Sequence, residues 1–400
     1  MSLKFTSILF ALYVLSATSS AQQKRLLQVD FYGDSLSFDT SIPDTAYISA
    51  SFTEMQIITQ GAYFQKWNFH PLLDSLLQYK KARLLDDWIY YQLIRKTSQQ
   101  IFPKEKNYER YTVLKWFLLM RSGYNSTLKV DHQKLLFYVQ TDETVFNLPF
   151  YIKNDRQYVC LNYHDYGYFE IRNEKLSEIE MPGGNAGNSF SYRINKIPEG
   201  EGNTYIEKEL QFPYYENVHY FKIKLNPSIA QMFANYPVVD YAAYFDIPLS
   251  RQTYQSLIPA LKKHVAKMKE KNGVDFLMRF TRYAFLYETD TENFGRERRL
   301  TAEQTILYKY SDCEDRVALF FYLVKEIYAL PMIVLAYPNH IAIAVKLKKP
   351  AGKTILYKGE KYTVAEATPQ QDDLPLGKTL PSLKRTQFEI VYVFSPPKIR

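Results

Sequence analysis

The chain has 400 residues, 46% of them hydrophobic, and carries a formal net charge of +8. This hydrophobic share supports packed cores and excludes a disordered chain. Its lysines and arginines are scattered rather than gathered into a stripe, so the sequence predicts no nucleic-acid partner. The six histidines and two cysteines do not stand at ligand spacing, and the sequence therefore predicts neither a metal nor a cofactor.

Residues 1–21 have the layout of a cleaved secretory signal peptide. Lys4 supplies the positive charge, an apolar run follows, and Ser19 and Ala21 form a small-x-small cleavage site. The alternative is an N-terminal membrane anchor, but the apolar run is shorter than the ~20 residues that a span needs. We therefore expect a periplasmic or secreted protein without a membrane span.

Three further regions are predicted after the signal peptide. Residues 22–165 have the helix and strand patterns of an α+β domain, including one amphipathic helix over 72–96. Residues 166–250 are predicted to form a β-rich module, since three runs in them alternate between apolar and polar residues. These runs are 190–197, 204–212 and 218–226. A C-terminal domain is expected over 251–400, opening with a helix that ends at Gly273.

One of the two cysteines stands at the predicted start of a buried helix. Ser311 and Asp312 are both good N-cap residues, and a long apolar run follows Cys313. The helix dipole at this position lowers the pKa of a thiol and favours the nucleophilic thiolate. The carboxylates of Glu314 and Asp315 oppose this effect, so the position favours a nucleophile without being sufficient for one.

The strands that follow this helix predict a partner for the thiol. They are expected at 332–338, 341–348, 355–357 and 362–369. In such a meander, His340 at the start of one strand and Glu366 on a later one come side by side. A cysteine at a helix start, a histidine and an acid form the arrangement of nucleophilic thiol catalysis, in which the imidazole accepts the thiol proton.

The region from 275 to 377 resembles the transglutaminase-like domain of the papain-like cysteine-enzyme superfamily, as found in exported bacterial proteins. The segment SDCEDRVALFFYLVKE is similar to that family's G-D-C-E-D helix, with Ser311 in place of glycine. LAYPNHIAIAV resembles its strand–histidine–strand unit, and YTVAEATP resembles its acid strand, where many members carry Asp-Pro-Thr. The resemblance implies a fold in which the cysteine-bearing helix packs on an antiparallel sheet.

The same resemblance implies Cys313 as nucleophile, His340 as base and Glu366 as the third member. Glutamate departs from the family's aspartate, so Asp372 or Asp373 is an alternative acid. The oxyanion of the intermediate would be held partly by the backbone N–H of the cysteine. Candidates for a further side-chain donor are Gln304, Tyr308 and Tyr310, and Arg316 is expected to pair with a nearby carboxylate.

These assignments predict an exported thiol enzyme that acts on a protein, a peptide or another amide through a thioester. A peptidase or amidase is favoured over a crosslinking transglutaminase, because water is the default acceptor. The alternative is a non-catalytic binding or scaffold protein of the cell envelope. The sequence indicates neither the substrate nor the oligomeric state.

Two features of the N-terminal half bear on this choice. Residues 107–130 repeat the pattern of 313–335, namely a polar start, an aromatic apolar helix, a turn and a strand. We therefore interpret residues 55–165 as a degenerate, inactive copy of the C-terminal domain, the alternative being an unrelated α+β domain. Cys160 lies in an apolar strand and is expected to be a core thiol, with a disulfide to Cys313 as the alternative.

Overall fold

The structure is a computed structural model of the chain. It describes residues 25–42, 53–130, 134–167, 176–179, 187–202, 204–370 and 372–397. The predicted signal peptide at 1–21 lies outside the described residues. The predicted α+β class is confirmed, because helices and mainly antiparallel strands alternate along the described chain. Within the described ranges, none of the helices combines the length and the apolar character that a bilayer crossing needs.

The first half of the chain builds one five-stranded antiparallel sheet with helices around it. Its elements are β1 (Arg25–Phe31), β2 (Asp34–Thr40), α1 (Glu54–Lys66), α2 (His70–Arg83), α3 (Asp87–Ile101), α4 (Tyr108–Arg121), β3 (Ser126–Val130), β4 (Leu135–Thr141), β5 (Val145–Phe146), β6 (Phe150–Lys153), β7 (Arg156–Cys160) and β8 (Ser177–Ile179). The strand order is β6-β7-β4-β3-β8. The single helix predicted over 72–96 is in fact two helices, because the chain turns at Leu84 with a left-handed φ of 53°.

The middle of the chain is a hairpin followed by short elements. These are β9 (Ile206–Tyr214), β10 (Asn217–Leu225), α5 (Ser228–Met232), β11 (Val238–Val239) and α6 (Tyr241–Phe245). The strand predicted over 190–197 does not form, although its side chains alternate between buried and exposed as predicted. The N–H of Phe190 donates to the Gln140 carbonyl of β4, but four later N–H groups of the run donate to carboxylates. Ser191 bonds Asp87 at 3.0 Å and Tyr192 bonds Glu143 at 2.7 Å.

The last part of the chain contains a second five-stranded sheet. Its elements are α7 (Arg251–Val265), α8 (Glu270–Tyr283), β12 (Leu286–Tyr287), α9 (Asp290–Phe294), α10 (Ala302–Leu307), β13 (Tyr310–Ser311), α11 (Cys313–Tyr328), β14 (Met332–Tyr337), β15 (His340–Val345), β16 (Thr354–Tyr357), β17 (Glu360–Ala365) and β18 (Glu389–Phe394). The helix predicted to end at Gly273 ends earlier, and Gly273 lies inside α8. A Cβ there would meet the Tyr328 hydroxyl at 1.7 Å, so this glycine allows close helix packing.

The two large sheets have the same strand order relative to their helices. In the C-terminal sheet the order is β16-β17-β15-β14-β18, and α11 precedes it as α4 precedes the N-terminal sheet. In each sheet, therefore, the fourth strand along the chain lies beside the second, the third lies outside the fourth, and the fifth lies beside the first. One continuous cluster of buried apolar side chains runs through both halves of the molecule.

Helix α11 is the central element of the second half. Its apolar side chains are almost completely buried, among them Val317, Leu319 and Phe320. Burying each such side chain contributes roughly 2 kcal/mol, so the helix is firmly anchored along its length. Its N-terminus, which carries Cys313, lies at the same end of the sheet as the start of β15.

Candidate active site

The start of α11 is held by a reciprocal cap. The Asp312 carboxylate accepts hydrogen bonds from the backbone N–H groups of Glu314 at 3.1 Å and Asp315 at 3.3 Å. In return, the Asp312 N–H donates to the Asp315 carboxylate at 3.3 Å. This capping box makes Cys313 the first residue of the helix and fixes its backbone.

The predicted histidine and acid are in contact. His340 is the first residue of β15, and Glu366 directly follows β17, the strand that pairs with β15. Nε2 of His340 lies 2.9 Å from Oε2 of Glu366, whose side chain is buried. The other carboxylate oxygen accepts the backbone N–H of Thr368 at 3.1 Å. Because a carboxylate accepts from Nε2–H, the contact leaves Nδ1 of the imidazole as the acceptor.

The two alternative acids do not take this place. Asp373 forms ion pairs with Arg279 at 2.6 Å and with Arg282 at 3.0 Å. Asp372 is exposed to solvent. Of the three acids considered, Glu366 is therefore the one that the structure brings to His340.

The Cys313 thiol lies against the start of β15. The backbone N–H of Ile341, the residue after His340, points at the sulfur and lowers the pKa of the thiol. Burial has the larger effect and raises that pKa well above its ordinary value, and the carboxylates of Asp312 and Glu314 raise it further. The effects that raise the pKa of Cys313 therefore outweigh those that lower it, and the resting thiol is neutral.

Three buried carboxylates, those of Asp290, Asp312 and Asp315, have oxygen atoms within 4.8 Å of one another. Burial raises the pKa of Asp290 to about 6, and burial together with Asp290 raises the pKa of Asp312 to about 7. Backbone N–H groups satisfy the cluster, since Arg298 donates to Asp290 at 2.6 Å and Leu300 to Asp315 at 2.7 Å. The cluster is therefore accounted for by capping and protonation.

Two buried arginines, Arg316 and Arg282, connect α11 through α8 to the segment after β17 that carries Glu366. Arg316 does not pair with a carboxylate side chain as predicted. It donates to the carbonyl groups of Thr281 at 2.9 Å, Arg282 at 2.8 Å and Phe285 at 3.1 Å, at the C-terminal end of α8. Carbonyl groups at a helix end have no partner within the helix, and the guanidinium provides one.

Arg282 continues the connection on the other side of α8. Its guanidinium donates to the backbone carbonyl of Glu366 and to that of Leu374 at 2.9 Å, and it pairs with Asp373. The segment after β17 is thereby fixed to α8, and Arg316 fixes α8 to α11. These contacts link the backbone of Glu366 to α11, the helix that carries the Cys313 thiol.

Asp373→Asn is expected to lower the free energy of unfolding by about 1 kcal/mol, because a charge-assisted contact with two buried guanidinium groups becomes a neutral one. The control is Asp246→Asn, since Asp246 pairs with Lys325 and its side chain is 46% exposed, against 47% for Asp373. We expect the control to change stability by less than about 0.5 kcal/mol. Urea titrations of both variants measure the difference, and equal losses would contradict the role given to Asp373.

The three predicted side-chain donors for an oxyanion differ in their contacts. The Gln304 carbonyl oxygen accepts the N–H of Thr301 at 3.0 Å, and its amide nitrogen is buried without a partner. The Tyr308 ring packs against Phe294, with ring centroids 5.7 Å apart. Tyr310 pairs through its backbone with β12.

Tyr287 was missed by the sequence analysis. Its strand β12 runs parallel to β13, which places Tyr287 opposite Ser311. Burial raises the pKa of Tyr287, and the charges of Cys313 and Asp312 raise it further. A two-residue strand has no periodicity, and only the neighbouring aromatic residues of 285–287 marked this segment.

A groove opens beside His340, with a volume of about 680 Å³. Its described lining is Tyr287, Tyr337, Pro338, Asn339, His340, Thr368, Pro369, Gln370, Leu380, Ser382, Leu383 and Thr386. Among these residues there is no aspartate, glutamate, lysine or arginine. The volume lies within the range of small-ligand pockets, so the groove can receive part of a substrate.

The N-terminal half has no thiol at the corresponding place. Tyr108 opens α4 as Cys313 opens α11, and Leu135 opens β4 as His340 opens β15. The strand pairs share the same register, because Tyr138 faces Cys160 as Ile343 faces Ala365. A hydrogen bond of 2.9 Å from Asn162 reaches the Tyr108 hydroxyl.

In the N-terminal half, a tyrosine side chain occupies the place beside the start of β4, which corresponds to the start of β15. The Tyr166 hydroxyl bonds both the N–H of Leu135, at 2.8 Å, and its carbonyl group, at 3.1 Å. Cys160 is completely buried, and burial raises its pKa to about 12. Both cysteines are free, which contradicts the alternative of a disulfide.

Comparison with known proteins finds no family model, no curated protein and no solved structure that matches this chain. The geometry of the site therefore carries the functional argument.

Proposed function

We propose that this protein is an exported thiol enzyme with a transglutaminase-like, papain-related catalytic domain that acts on amide bonds. The proposal is supported above all by the 2.9 Å contact between His340 and Glu366 beside the helix start that carries Cys313. A buried carboxylate that orients an imidazole next to a thiol is the arrangement of nucleophilic acyl transfer. Export rests on the predicted signal peptide alone.

In the proposed reaction, Nδ1 of His340 accepts the thiol proton as the sulfur attacks the substrate carbonyl carbon. The C–N bond then breaks, and the amine leaves with that proton, which gives a thioester on Cys313. Water attacks the thioester with His340 as base, releases the carboxylic acid and restores the thiol. Since burial and carboxylates hold the resting thiol neutral, proton transfer accompanies the attack rather than preceding it.

The transition state requires donors for the developing oxyanion. The N–H of Cys313 is available because the first N–H groups of a helix have no partner within it. The hydroxyl of Tyr287, which pairs through its backbone with Ser311 two residues before Cys313, is the side-chain donor that we assign in place of Gln304, Tyr308 and Tyr310. Hydrolysis is favoured over transfer to an amine, because water is the default acceptor.

The test is acylation by p-nitrophenyl acetate, a small neutral acyl donor. We expect a burst of p-nitrophenolate and an acetyl group on the peptide that contains Cys313, with Cys160 unmodified. His340→Ala is expected to slow the burst by ~10²-fold or more, and Glu366→Gln by less, since it disturbs only the orientation and charge of the imidazole. The Cys313→Ala protein is the blank. Equal bursts in all four proteins would refute the proposal.

The second candidate is a non-catalytic binding or scaffold protein. It is favoured by the strongly raised pKa of the Cys313 thiol and by Tyr108 in the corresponding place of the N-terminal half. The same experiment separates the two, because a scaffold would give no acetylated Cys313 while remaining folded.

A further inference from the structure

A carboxyl group without a role in the proposed acyl transfer lies beside the thiol. Glu314, the residue after Cys313, places a carboxyl oxygen within 4.8 Å of Sγ of Cys313. The Glu314 side chain is 22% exposed and Cys313 is half-buried, so both groups are accessible from solvent. Asp312, the residue before Cys313, is instead buried and uses its carboxyl group to cap α11. Of these two acids, Glu314 is therefore the one that a substrate can meet.

The Glu314 carboxyl group is positioned by two side chains of the segment before α10. Arg299 lies 3.9 Å from it. Arg299 is itself fixed by hydrogen bonds to the Val239 carbonyl at 3.0 Å and to the Tyr241 hydroxyl at 3.1 Å. Glu297 shares a hydrogen bond with the Glu314 carboxyl group. Two carboxyl groups can share a hydrogen bond only when one of them carries a proton, so this pair holds a proton beside the thiol.

The acidity of Glu314 suits proton transfer at neutral pH. Burial and the charge of Asp312 raise its pKa to about 7, although Arg299 opposes them. A group whose pKa lies near the working pH is protonated often enough, and acidic enough, to give its proton to a reacting atom. The nitrogen that leaves is bonded to the carbon that the sulfur attacks, so a carboxyl group this close to Sγ can come within hydrogen-bond reach of it.

A cavity next to the Glu297–Glu314 pair has room for the amine. Glu297 lines a cleft of about 930 Å³, together with Leu148 and His164 of the N-terminal half. His340 does not line this cleft, and neither do the other described residues of the groove beside it. The acyl side and the amine side of a substrate can therefore occupy separate cavities.

We propose that Glu314 is a further catalytic residue, which protonates the amine as the C–N bond breaks. The inference rests on the proposed function and adds a proton donor to it. In the tetrahedral adduct, the Glu314 carboxyl group gives its proton to the nitrogen, the C–N electron pair passes to the nitrogen, and the oxyanion re-forms the C=O bond of the thioester. The resulting carboxylate takes up, through solvent, the proton that His340 received from the thiol. Both groups thus regain their resting states before water attacks.

The test compares an ester with an amide that share the same acetyl group and nitrophenyl ring. p-Nitrophenolate leaves without a proton and p-nitroaniline does not, so only p-nitroacetanilide depends on a donor. We expect Glu314→Gln to slow the release of p-nitroaniline by ~10²-fold and the ester burst by ~3-fold at most. Glu326→Gln, on the same helix, is the control and should change neither rate. Cys313→Ala is the blank.

The pH dependence separates a proton donor from a structural role. Glu314 gives a proton only in its neutral form, so the wild-type rate with the anilide should fall as the pH rises through about 7, and the ester burst should not. Glutamine has no proton to give, so Glu314→Gln should lose this fall. Glu314→Asp keeps a transferable proton on a shorter side chain, and we expect it to keep the fall and to recover part of the p-nitroaniline release.

The outcomes distinguish this inference from the proposed function. The absence of an ester burst in the wild-type protein would overturn the thiol chemistry itself. A normal burst without p-nitroaniline release above the blank would overturn the role of Glu314 alone. Equal slowing of both reactions in Glu314→Gln, or a wild-type anilide rate that does not fall above pH ~7, would do the same.

Discussion

Arg316→Leu is expected to lower the free energy of unfolding by about 4 kcal/mol, the largest stability effect of any substitution considered. The side chain is completely buried, and three carbonyl groups of the segment 281–285 accept its hydrogen bonds. Leucine leaves these carbonyls buried and unpaired, and each such group costs roughly 1–3 kcal/mol. Urea unfolding measures the loss, and slower acylation of Cys313 should accompany it, because α8 and α11 are no longer joined.

Two further variants make the test specific. Arg316→Lys keeps a charge, but a single ammonium cannot reach three carbonyls in fixed directions, so we expect it to recover about half of the loss. Burial lowers the pKa of Arg316 to about 10, which leaves the guanidinium charged at neutral pH. Arg251→Leu is the control, because its side chain is 73% exposed. A loss below about 1 kcal/mol for Arg316→Leu would show that the carbonyls find other donors.

Local patterns were sufficient to predict the elements that carry the proposed site. The acid-rich start and apolar run around Cys313 predicted a helix that begins at this residue, and capping explains why it does. The β-branched runs on both sides of His340 predicted its position at a strand start. The contact between His340 and Glu366 could be predicted, because it requires only that their two strands lie side by side.

The surroundings of the site depend on contacts between distant residues, which leave no local pattern. Arg282 and Glu366 are separated by 84 positions, and Arg316 and Thr281 by 35. An arginine followed by apolar residues reads as a surface charge or an ion pair, and nothing nearby indicates that three carbonyls will surround it. For the same reason, the pairing that brings Tyr287 to the thiol was not foreseen.

Gly273 and the alternating run over 190–197 each mark a real feature of the structure, but the predicted feature differs from the observed one. Gly273 marks the close approach of Tyr328 rather than a helix end. The alternation over 190–197 reflects burial on one side of an extended chain, whose N–H groups bond the carboxylates of Asp86, Asp87 and Glu143. Burial periodicity therefore predicted which side chains are inside, but the backbone partners were decided elsewhere in the sequence.

Asp312→Asn is expected to stabilise the protein at pH 8 and to have almost no effect at pH 4. Burial and Asp290 raise the pKa of Asp312 in the folded protein to about 7, while the unfolded chain has a pKa of ~3.9. Between these values the folded state binds the extra proton, so wild-type stability falls as the pH rises through this window. Asparagine carries no charge and still caps the helix, so it removes this loss.

The expected gain from Asp312→Asn at pH 8 is about 3 kcal/mol, since a shift of three pKa units corresponds to ~4 kcal/mol and the neighbouring acids share part of it. Urea titrations from pH 4 to pH 8 measure the gain, with Glu326→Gln on the same helix as control. Removing the Asp312 charge should also lower the pKa of Cys313, so that alkylation by iodoacetamide begins at lower pH. A gain that is the same at every pH would show that Asp312 takes up no extra proton on folding, and the raised pKa inferred for this carboxyl group would then be wrong.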